Sequence, residues 1–261
     1  MFFLIKIGLI GGSGLDNPNI LNSIEEIDID TPYGKPTAII KKGEINGVTV
    51  LILARHGINH QYSPTQVNYR ANIWALKELG CTHILATTAV GSLREKIGRG
   101  DFVVLDQFID FTKHRKITFY DSFEKEMAHP PMATPFDNSL RTLLIESCSE
   151  LDFRCHKTGT VVTIEGPRFS TKAESHMFRL WGADVINMSI APECILANEL
   201  KLPYSAVAMS TDYDCWKEDE EAVTWESVLK IFKDNASRVT DLLLKTISKT
   251  NKLDQKGELH D

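Results

Sequence analysis

The sequence predicts a single α/β domain, and two observations support this prediction. Short apolar segments of strand length alternate with helical patterns along almost the whole chain of 261 residues, which is typical of helices packed on a mostly parallel sheet. No internal repeat, low-complexity stretch or interdomain linker interrupts the alternation. We therefore expect a mixed, largely parallel central sheet flanked by helices over residues 1–250, followed by a polar and mobile C-terminal tail at 251–261.

Strands are predicted where apolar and β-branched residues run together. The first covers 5–10, and we interpret it as a buried strand rather than a secretion signal, because Lys6 interrupts it and no cleavage site follows. The longest segment without a strand or helix pattern, 111–137, is expected to form a functional loop or a subunit contact. The other strands are predicted at 48–54, 82–88, 102–106, 158–164, 184–188 and 204–210.

Helices are marked mainly by their caps. Ser63 opens a capping box with proline at the first helical position, and Gly80 ends the helix that this box predicts. Thr171 opens a second box, for a helix to about Trp181, and Thr224 is expected to cap the last long helix. One further helix is predicted from the apolar face formed by Leu140, Leu143, Leu144, Cys148 and Leu151.

Charge and cysteine content narrow the class of function. A formal net charge of −6 argues against a nucleic-acid partner, because no basic stripe is present to neutralise phosphates. The five cysteines are odd in number and contain no Cys-x-x-Cys pair, which favours a reduced, cytoplasmic protein without a structural zinc site. No apolar run approaches the length of a membrane span, so we expect no membrane partner.

Two acids, Asp212 and Asp214, follow the strand predicted at 204–210. Spaced two apart, they would project to one side if the extended geometry persists, and ligands of open α/β sheets bind beyond the carboxyl ends of the strands. One acid could donate a proton to a purine while the other accepts an amino hydrogen. A solvated turn remains the alternative at this point, since Asp is an ordinary turn residue.

Four other predicted strands also end in polar groups. They place a glycine-rich turn with Ser13, the pair Arg55 and His56, a hydroxyl run with Thr88, and the segment 187–189 at the same edge. Each has a plain alternative: a tight turn, a salt-bridged arginine, a helix cap or a core methionine. The glycine spacing fails the dinucleotide fingerprint, and His56 with His60 lacks the glutamate of a zinc-protease motif. One crevice explains these four strand ends together with the acid pair: the four would form its anion-binding end, and Asp212 and Asp214 its purine-binding end.

Taken together, these segments resemble the purine nucleoside phosphorylase family over about residues 5–247. The resemblance implies an α/β fold with a twisted, partly barrel-like sheet, a trimer or a dimer of trimers, and an active site near a subunit interface. The matching segments include IGLIGGSGL at 7–15, TPYGKP at 31–36, ARHG at 54–57, VNYRANIWALKELG at 67–80, TTAVGSLR at 87–94, DQFID at 106–110, IEGPRF at 164–169, WGADVINM at 181–188 and TDYDCW at 211–216.

Within that family the resemblance implies phosphorolysis of 5′-methylthioadenosine to adenine and 5-methylthioribose 1-phosphate, in purine and methionine salvage. Inorganic phosphate would be the co-substrate, with no cofactor and no metal. The alternative is a purine nucleoside phosphorylase that acts on adenosine, inosine, guanosine or methylthioinosine. A hydrolytic nucleosidase and a catalytically silent nucleoside-binding protein are more distant alternatives, and a strict requirement for phosphate distinguishes both of them from a phosphorylase.

The resemblance also assigns roles to residues, with Asp212 as the catalytic acid that protonates N7 and Asp214 facing the amino group of the base. The implied phosphate-binding residues are Ser13, Arg55, His56, Thr88, Ala89 and Ser189. The implied nucleoside-binding residues are Met188 at the ribose, Phe169, Ser170 and Asn187 at the base, and Trp225, Val228 and a neighbouring chain's His129 at the 5′ substituent.

Three features depart from the family pattern. Ser13 and Ser189 replace threonine, so the hydroxyl group is retained and phosphate binding is expected to persist. Trp225 replaces a small aliphatic residue of the animal enzymes, which would alter the shape of the 5′ pocket. The sequence also ends before the C-terminal residues that help to close this pocket in animal members.

Overall fold

The computed structural model of the chain describes residues 4–11, 20–124, 129–219 and 224–254. Its strands are β1 (Lys6–Gly11), β2 (Asn22–Ile27), β3 (Ile40–Ile45), β4 (Val48–Ala54), β5 (His83–Ser92), β6 (Phe102–Val104), β7 (Gln107–Phe111), β8 (Cys155–His156), β9 (Thr160–Ile164), β10 (Val185–Asn187) and β11 (Tyr204–Asp212). Its helices are α1 (Tyr69–Glu78), α2 (Asn138–Glu150), α3 (Lys172–Leu180), α4 (Ile190–Glu199) and α5 (Trp225–Asp254).

All of these strands belong to one mixed sheet, as the sequence predicts. The main path runs β2-β3-β4-β1-β5-β10-β9-β7, and β11, β6 and β8 branch from β5. β5 is the centre of the sheet, because it pairs in parallel with β1 and β11 and antiparallel with β10. The path ends at β2 on one side and at β7 on the other, so the sheet is open rather than a closed barrel.

The central strands are buried because helices cover both faces of the sheet. Helices α1 and α4 pack together over one apolar cluster that contains Ile73 and Leu196, and α2 and α5 pack together over a second that contains Leu144 and Leu242. Every residue of β11 is buried, which is the environment expected of its continuous apolar sequence. This placement brings the end of β11, with Asp212, into the interior.

Helix α1 begins later than the capping box at Ser63 predicts, and that prediction was wrong. The backbone N–H groups of Gln66 and Val67 donate to the Ser63 carbonyl oxygen within a turn that does not continue as a helix. Asn68 is the actual cap, since its side chain accepts from the Ala71 N–H. The predicted end at Gly80 is confirmed, with φ of 81°. The second capping box, at Thr171, is also confirmed.

The sequence analysis missed several short or polar elements. β2 is exposed at most positions and pairs irregularly with β3, so it carries no apolar pattern. Helix α4 contains Pro192, which we did not interpret as helical. Pro192 lies in the first turn, where a backbone N–H group is not needed for an intrahelical hydrogen bond. Strands β3, β7 and β8 were likewise not predicted.

Helix α5 extends to Asp254, so the first four residues of the tail predicted at 251–261 are helical. The polar residues just before them are held against α2 or buried. Lys249 pairs with Glu146 and Glu150 of α2 at 2.9 and 2.6 Å, and the Thr250 side chain is buried. The remainder of the predicted tail, 255–261, lies outside the described residues.

The segment between β7 and α2 is irregular, as predicted. Its described parts, 112–124 and 129–137, contain no helix and no strand. Among the helices of the described residues, none combines the length and the apolar character needed to cross a membrane.

Candidate active site

A cavity of about 180 Å³ lies at the carboxyl ends of β4, β5, β10 and β11. This is the edge at which the polar strand ends were expected to meet. Twelve of the predicted site residues line it: Arg55, His56, Thr88, Ala89, Phe169, Ser170, Asn187, Met188, Ser189, Asp212, Asp214 and Val228. The structure therefore brings together groups that are up to 173 positions apart, from 55 to 228.

Three predicted residues are not placed in this cavity. Ser13 and the side chain of Trp225 lie outside the described part of the structure. His129 is exposed, and its ring contacts that of Phe123 with the centroids 5.3 Å apart. Its assignment to the site of a neighbouring chain stays a prediction.

Arg55 lies at one end of the cavity and is held by a buried ion pair. Its Nε donates to Oε1 of Glu193 at 2.5 Å and its Nη2 to Oε2 at 3.0 Å, with side-chain exposures of 2% and 0%. Nη1 donates to the Thr87 carbonyl oxygen at 2.9 Å. As far as the described residues go, two of the five guanidinium N–H groups remain for a ligand.

The electrostatics of this end favour an anion. Burial alone would lower the pKa of Arg55, but Glu193 raises it above its usual value, so the guanidinium stays charged. Ser189 is the residue before α4 and lines the cavity, and its side chain makes no capping bond, so its hydroxyl group remains available to a ligand. The Ala191 N–H of this helix already donates to the Thr163 hydroxyl oxygen and Pro192 has no N–H, so the helix contributes mainly the positive end of its dipole. Together with the buried Arg55 charge, these groups favour a phosphate group.

His56 adjoins Arg55 and is neutral near pH 7. Burial and the Arg55 charge lower its pKa to about 4. Its Nδ1 lies 3.0 Å from the Tyr62 carbonyl oxygen, which only accepts, so Nδ1 carries the hydrogen and Nε2 is left as an acceptor. The ring also stacks on that of His60, with the centroids 4.5 Å apart.

Asn187 lines the cavity and is held by two hydroxyl groups. Its Oδ1 accepts from the Thr163 hydroxyl at 2.8 Å, and its Nδ2 donates to the Thr88 hydroxyl oxygen at 3.2 Å. The Thr88 hydroxyl in turn donates to the Ala89 carbonyl oxygen at 3.1 Å. These bonds fix the orientation of the amide and leave the Thr88 oxygen as an acceptor in the free protein.

The acid pair occupies the opposite end and is buried, which rules out the solvated turn. Asp212 and Asp214 are 8% and 6% exposed. Asp214 has φ of 49°, so the strand does not continue to it and the expected extended geometry was wrong. Both side chains still line the cavity, because this turn folds back and the Asp214 N–H donates to Asp212 Oδ1 at 2.8 Å.

Burial gives the two acids unusual protonation. It raises the pKa of Asp212 to about 6, although hydrogen bonds from the Asp214 N–H and the Thr211 hydroxyl partly oppose the change. Burial also raises the pKa of Asp214. Among the described residues, Oδ2 of Asp214 has no hydrogen-bond partner. The Ser175 and Ser170 hydroxyl groups beside Asp214 oppose the rise in its pKa only in part. The pair therefore combines an acid that keeps its proton up to about pH 6 with a carboxylate oxygen, Asp214 Oδ2, that can accept from a ligand.

Gly91 leaves the space that Asp212 occupies, and this predicts the effect of Gly91→Ala. An added Cβ would lie 2.8 Å from Asp212 Oδ1 and 3.0 Å from Cγ2 of Ile186. We expect displacement of the Asp212 carboxyl group, at least a tenfold loss of turnover and a destabilisation of about 1–3 kcal/mol. Steady-state kinetics and urea unfolding measure both. The control is Gly98→Ala, where the nearest atom is 3.6 Å away; equal losses in the two variants would contradict this reasoning.

The sequence analysis missed several residues of the site. Glu193 holds Arg55, and it follows the polar strand end at 187–189 closely enough to have been considered. The Thr211 hydroxyl lies 2.8 Å from Asp212 Oδ2, and no role was predicted for it. His60, Pro64, Gly91 and Leu229 also line the cavity. The sequence gives no sign of this role, because these residues meet the other lining residues only in the folded chain.

The fold and the cavity define an α/β enzyme with an anion-binding end and a base-protonating end. The chain belongs to the phosphorylase superfamily, whose family model matches residues 6–248. It is 55% identical over 254 residues to the S-methyl-5′-thioadenosine phosphorylase of Xenopus tropicalis, covering 96% of this chain and 90% of that protein. The corresponding protein of Danio rerio is 54% identical over 253 residues, with the same coverage of both chains.

Solved structures give the same result. The methylthioadenosine phosphorylase of Schistosoma mansoni in complex with adenine has a TM-score of 0.92 and 41% identity, covering 98% of this chain and 95% of that one. A mutant adenosine/methylthioadenosine phosphorylase of the same organism, in complex with methylthioadenosine, has a TM-score of 0.91 and 40% identity, covering 98% and 94%.

Proposed function

We propose that the protein catalyses the phosphorolysis of 5′-methylthioadenosine, releasing adenine and 5-methylthioribose 1-phosphate. It is then a pentosyltransferase of the phosphorylase superfamily. The observation that carries this proposal is the single cavity with a charged, buried Arg55 at one end and a protonatable, buried Asp212 at the other. Relatives that share about half of the sequence and carry the corresponding name support the choice of substrate.

Phosphate binding is proposed at Arg55, the N-terminus of α4 with Ser189, and the Thr88–Ala89 segment, with His56 and Ser13 beside them. The phosphate oxygen attacks the anomeric carbon of the ribose as the bond to adenine breaks. Positive charge develops on the sugar in this transition state, and the adjacent phosphate anion stabilises it. Met188 lines the same cavity, where its thioether would contact the sugar.

Base protonation is proposed at Asp212. Adenine is a poor leaving group as an anion, so the departing N7 needs a proton, and a carboxyl group with a pKa of about 6 can supply it near neutral pH. The Asp214 oxygen without a partner among the described residues accepts from the 6-amino group. The same oxygen repels a 6-carbonyl, which disfavours inosine and methylthioinosine.

Adenosine is the second candidate substrate. The Schistosoma mansoni relative is described as an adenosine/methylthioadenosine phosphorylase, so a 5′-hydroxyl is accepted by a protein of this fold. Here Val228 is buried against the cavity, and its apolar side chain favours a methylthio group over a hydroxyl. We propose methylthioadenosine as the preferred substrate and adenosine as a weaker one.

A phosphate-dependent assay tests the proposal. Adenine release is measured with methylthioadenosine, adenosine, inosine and methylthioinosine, each with and without inorganic phosphate. We expect release to require phosphate and the order methylthioadenosine, adenosine, then the two 6-oxopurines. Adenine release without phosphate would indicate a hydrolase, and a preference for inosine would contradict the role of the acid pair.

We further propose a cytoplasmic trimer or dimer of trimers that acts in purine and methionine salvage and uses no cofactor or metal. Unpaired cysteines support a reducing compartment. Exposed apolar side chains at the end of α3, where Leu180 is 88% exposed, support assembly. Light scattering coupled to size-exclusion chromatography measures the oligomer, and a monomeric mass would contradict this part of the proposal.

A further inference from the structure

A second buried arginine, Arg115, lies behind the cavity wall and does not line the cavity. It belongs to the irregular segment that follows β7, yet its side chain is 0% exposed. Its Nη1 donates to the Met188 carbonyl oxygen at 3.0 Å and to the Tyr69 hydroxyl oxygen at 2.8 Å. Its Nη2 donates to the Glu165 carbonyl oxygen at 2.5 Å. One guanidinium group thus holds three separate segments of the chain.

Glu165 neutralises Arg115 and gathers further donors. Oε1 of Glu165 accepts from Arg115 Nε at 3.0 Å and from the Thr65 hydroxyl group. Oε2 accepts from the backbone N–H groups of Lys113 and His114 at 2.6 and 3.1 Å. Burial alone would raise the pKa of Glu165, but these hydrogen bonds outweigh it and lower the pKa to about 2. The ion pair therefore persists at every pH at which the protein would be assayed.

The segments held by Arg115 continue directly into the cavity wall. Met188 and Ser189 line the cavity, Ser189 at its anion-binding end, and Phe169 and Ser170, which follow Glu165, line its base end. Pro64 completes the wall, and its carbonyl oxygen accepts from the Tyr69 hydroxyl group at 3.1 Å.

The side chain of Met188 is confined from the other direction. Gly166 has φ of 66°, and a Cβ on it would lie against the Met188 sulfur closer than van der Waals contact allows. The acid pair is held differently: Asp212 by the pairing of β11 with β5, and Asp214 by the hydrogen bond from its N–H to Asp212.

We propose that Arg115 is a positioning residue that fixes the backbone of Met188 and Ser189 relative to the base end of the cavity, so that the sugar and phosphate are held at the reacting distance. This inference rests on the proposed function. Arg115 does not contact β11, and the backbones of Phe169 and Ser170 at the base end are also held by Arg168 and Cys215. Loss of Arg115 should therefore weaken the binding of the sugar and phosphate and spare the binding of adenine. A residue that only stabilised the fold would not separate these effects.

The test compares Arg115→Met and Arg115→Lys with the wild type. Phosphate and adenine affinities are measured separately by calorimetry, and KM and kcat are measured with methylthioadenosine. For Arg115→Met we expect the phosphate Kd and the nucleoside KM to rise at least tenfold, with the adenine Kd unchanged within twofold. Arg115→Lys should give an intermediate loss. Its ammonium group keeps the charge, but it lacks the planar guanidinium group that bonds to Tyr69, Met188 and Glu165 at the same time.

Arg70→Met is the matched control. Arg70 also contacts the segment after β7, through the Asp121 carboxylate at 3.0 Å, but neither of them lines the cavity. All constants of this variant should stay within twofold of the wild type. If Arg115→Met weakens adenine binding as much as phosphate binding, or changes neither, Arg115 has no positioning role and the proposal is wrong.

A milder variant keeps the test decisive if Arg115→Met fails to fold. Thr65→Val removes the hydroxyl donor to Glu165 at a partly exposed turn and leaves Arg115 in place. We expect the same separation, with about a threefold rise in the phosphate Kd alone, and an unchanged phosphate Kd would contradict the proposal. The two titrations need no turnover. They therefore decide the role of Arg115 even if the substrate assay rejects methylthioadenosine.

Discussion

Asp212→Asn is expected to reduce phosphate-dependent adenine release by roughly 10²–10⁴-fold. Asparagine keeps the size of the side chain but has no acidic proton for N7 of the leaving base. The phosphate Kd should stay within twofold of the wild type, since Arg55 and the N-terminus of α4 lie at the other end of the cavity. Single-turnover adenine release and calorimetric titration of phosphate measure the two quantities.

Asp219→Asn is the matched control for this prediction, because Asp219 is an exposed acid in the segment after the pair. Its kinetics should match those of the wild type. Wild-type turnover in Asp212→Asn would show that another group protonates the base. A parallel loss of phosphate affinity would show that the substitution disturbs the whole cavity rather than one proton transfer.

The pH dependence provides an independent readout of the same group. Since the acid must be protonated and its pKa is about 6, kcat/KM should fall about tenfold per pH unit above that value. The residual kcat/KM of Asp212→Asn should not show this fall above pH 6.

Asp212→Asn should lose activity but gain stability relative to the wild type as the pH rises. Raising the pKa from an ordinary 3.8 to about 6 means that ionising Asp212 costs roughly 3 kcal/mol more in the folded protein than in the unfolded chain. Wild-type stability should therefore decline as the pH rises from about 4 to 6, and Asp212→Asn should escape this loss. Urea unfolding at pH 4 and pH 7 measures the free energy of unfolding of both proteins. If the variant and the wild type differ by the same amount at both pH values, the assignment of the raised pKa to Asp212 is wrong.

Glu193→Gln is expected to cause the second large effect, by leaving the Arg55 charge buried without its counter-ion. Breaking one partner of a buried ion pair typically costs about 3–5 kcal/mol. The Tyr204 hydroxyl also donates to Glu193 at 2.8 Å, so the substitution weakens the hydrogen bonds of both Arg55 and Tyr204. We expect a fall in the free energy of unfolding of this size, together with at least a tenfold rise in the phosphate KM, because Arg55 is no longer held at the cavity.

Glu199→Gln is the control for this second prediction. Glu199 ends the same helix and accepts from the Phe119 N–H at 2.8 Å, outside the cavity. Urea unfolding and phosphate-dependent kinetics apply to both variants. The prediction fails if Glu193→Gln is destabilised while its phosphate KM is unchanged, since Arg55 would then be structural and not a ligand of phosphate.

The part of the site that sequence reasoning found consists of residues next to a recognisable strand end. Arg55 directly follows β4, and Asp212 ends β11. The local pattern therefore predicts both position and chemistry. The capping box at Thr171 succeeded for the same local reason. The box at Ser63 failed because Asn68 caps the helix instead and the Thr65 hydroxyl bonds to Glu165, a hundred positions away.

Residues that act through distant partners were missed or incompletely understood. Glu193 lies 138 positions from Arg55, and Arg115 lies 73 positions from the carbonyl oxygen that it holds. Neither pairing leaves a periodic or spacing signal, since each arises from which segments the sheet order brings together. The turn that aims Asp214 at the cavity was also beyond a period-2 argument, because its backbone leaves the strand.

Local chemistry along the chain was sufficient to specify the alternating α/β order, the buried strands and the polar groups at their carboxyl ends. Burial, ion pairing and the raised pKa of Asp212 required the folded protein, because each depends on the low-dielectric surroundings that several distant segments create together. The residue types therefore come from the chain, and their protonation and mutual orientation come from the packing around them.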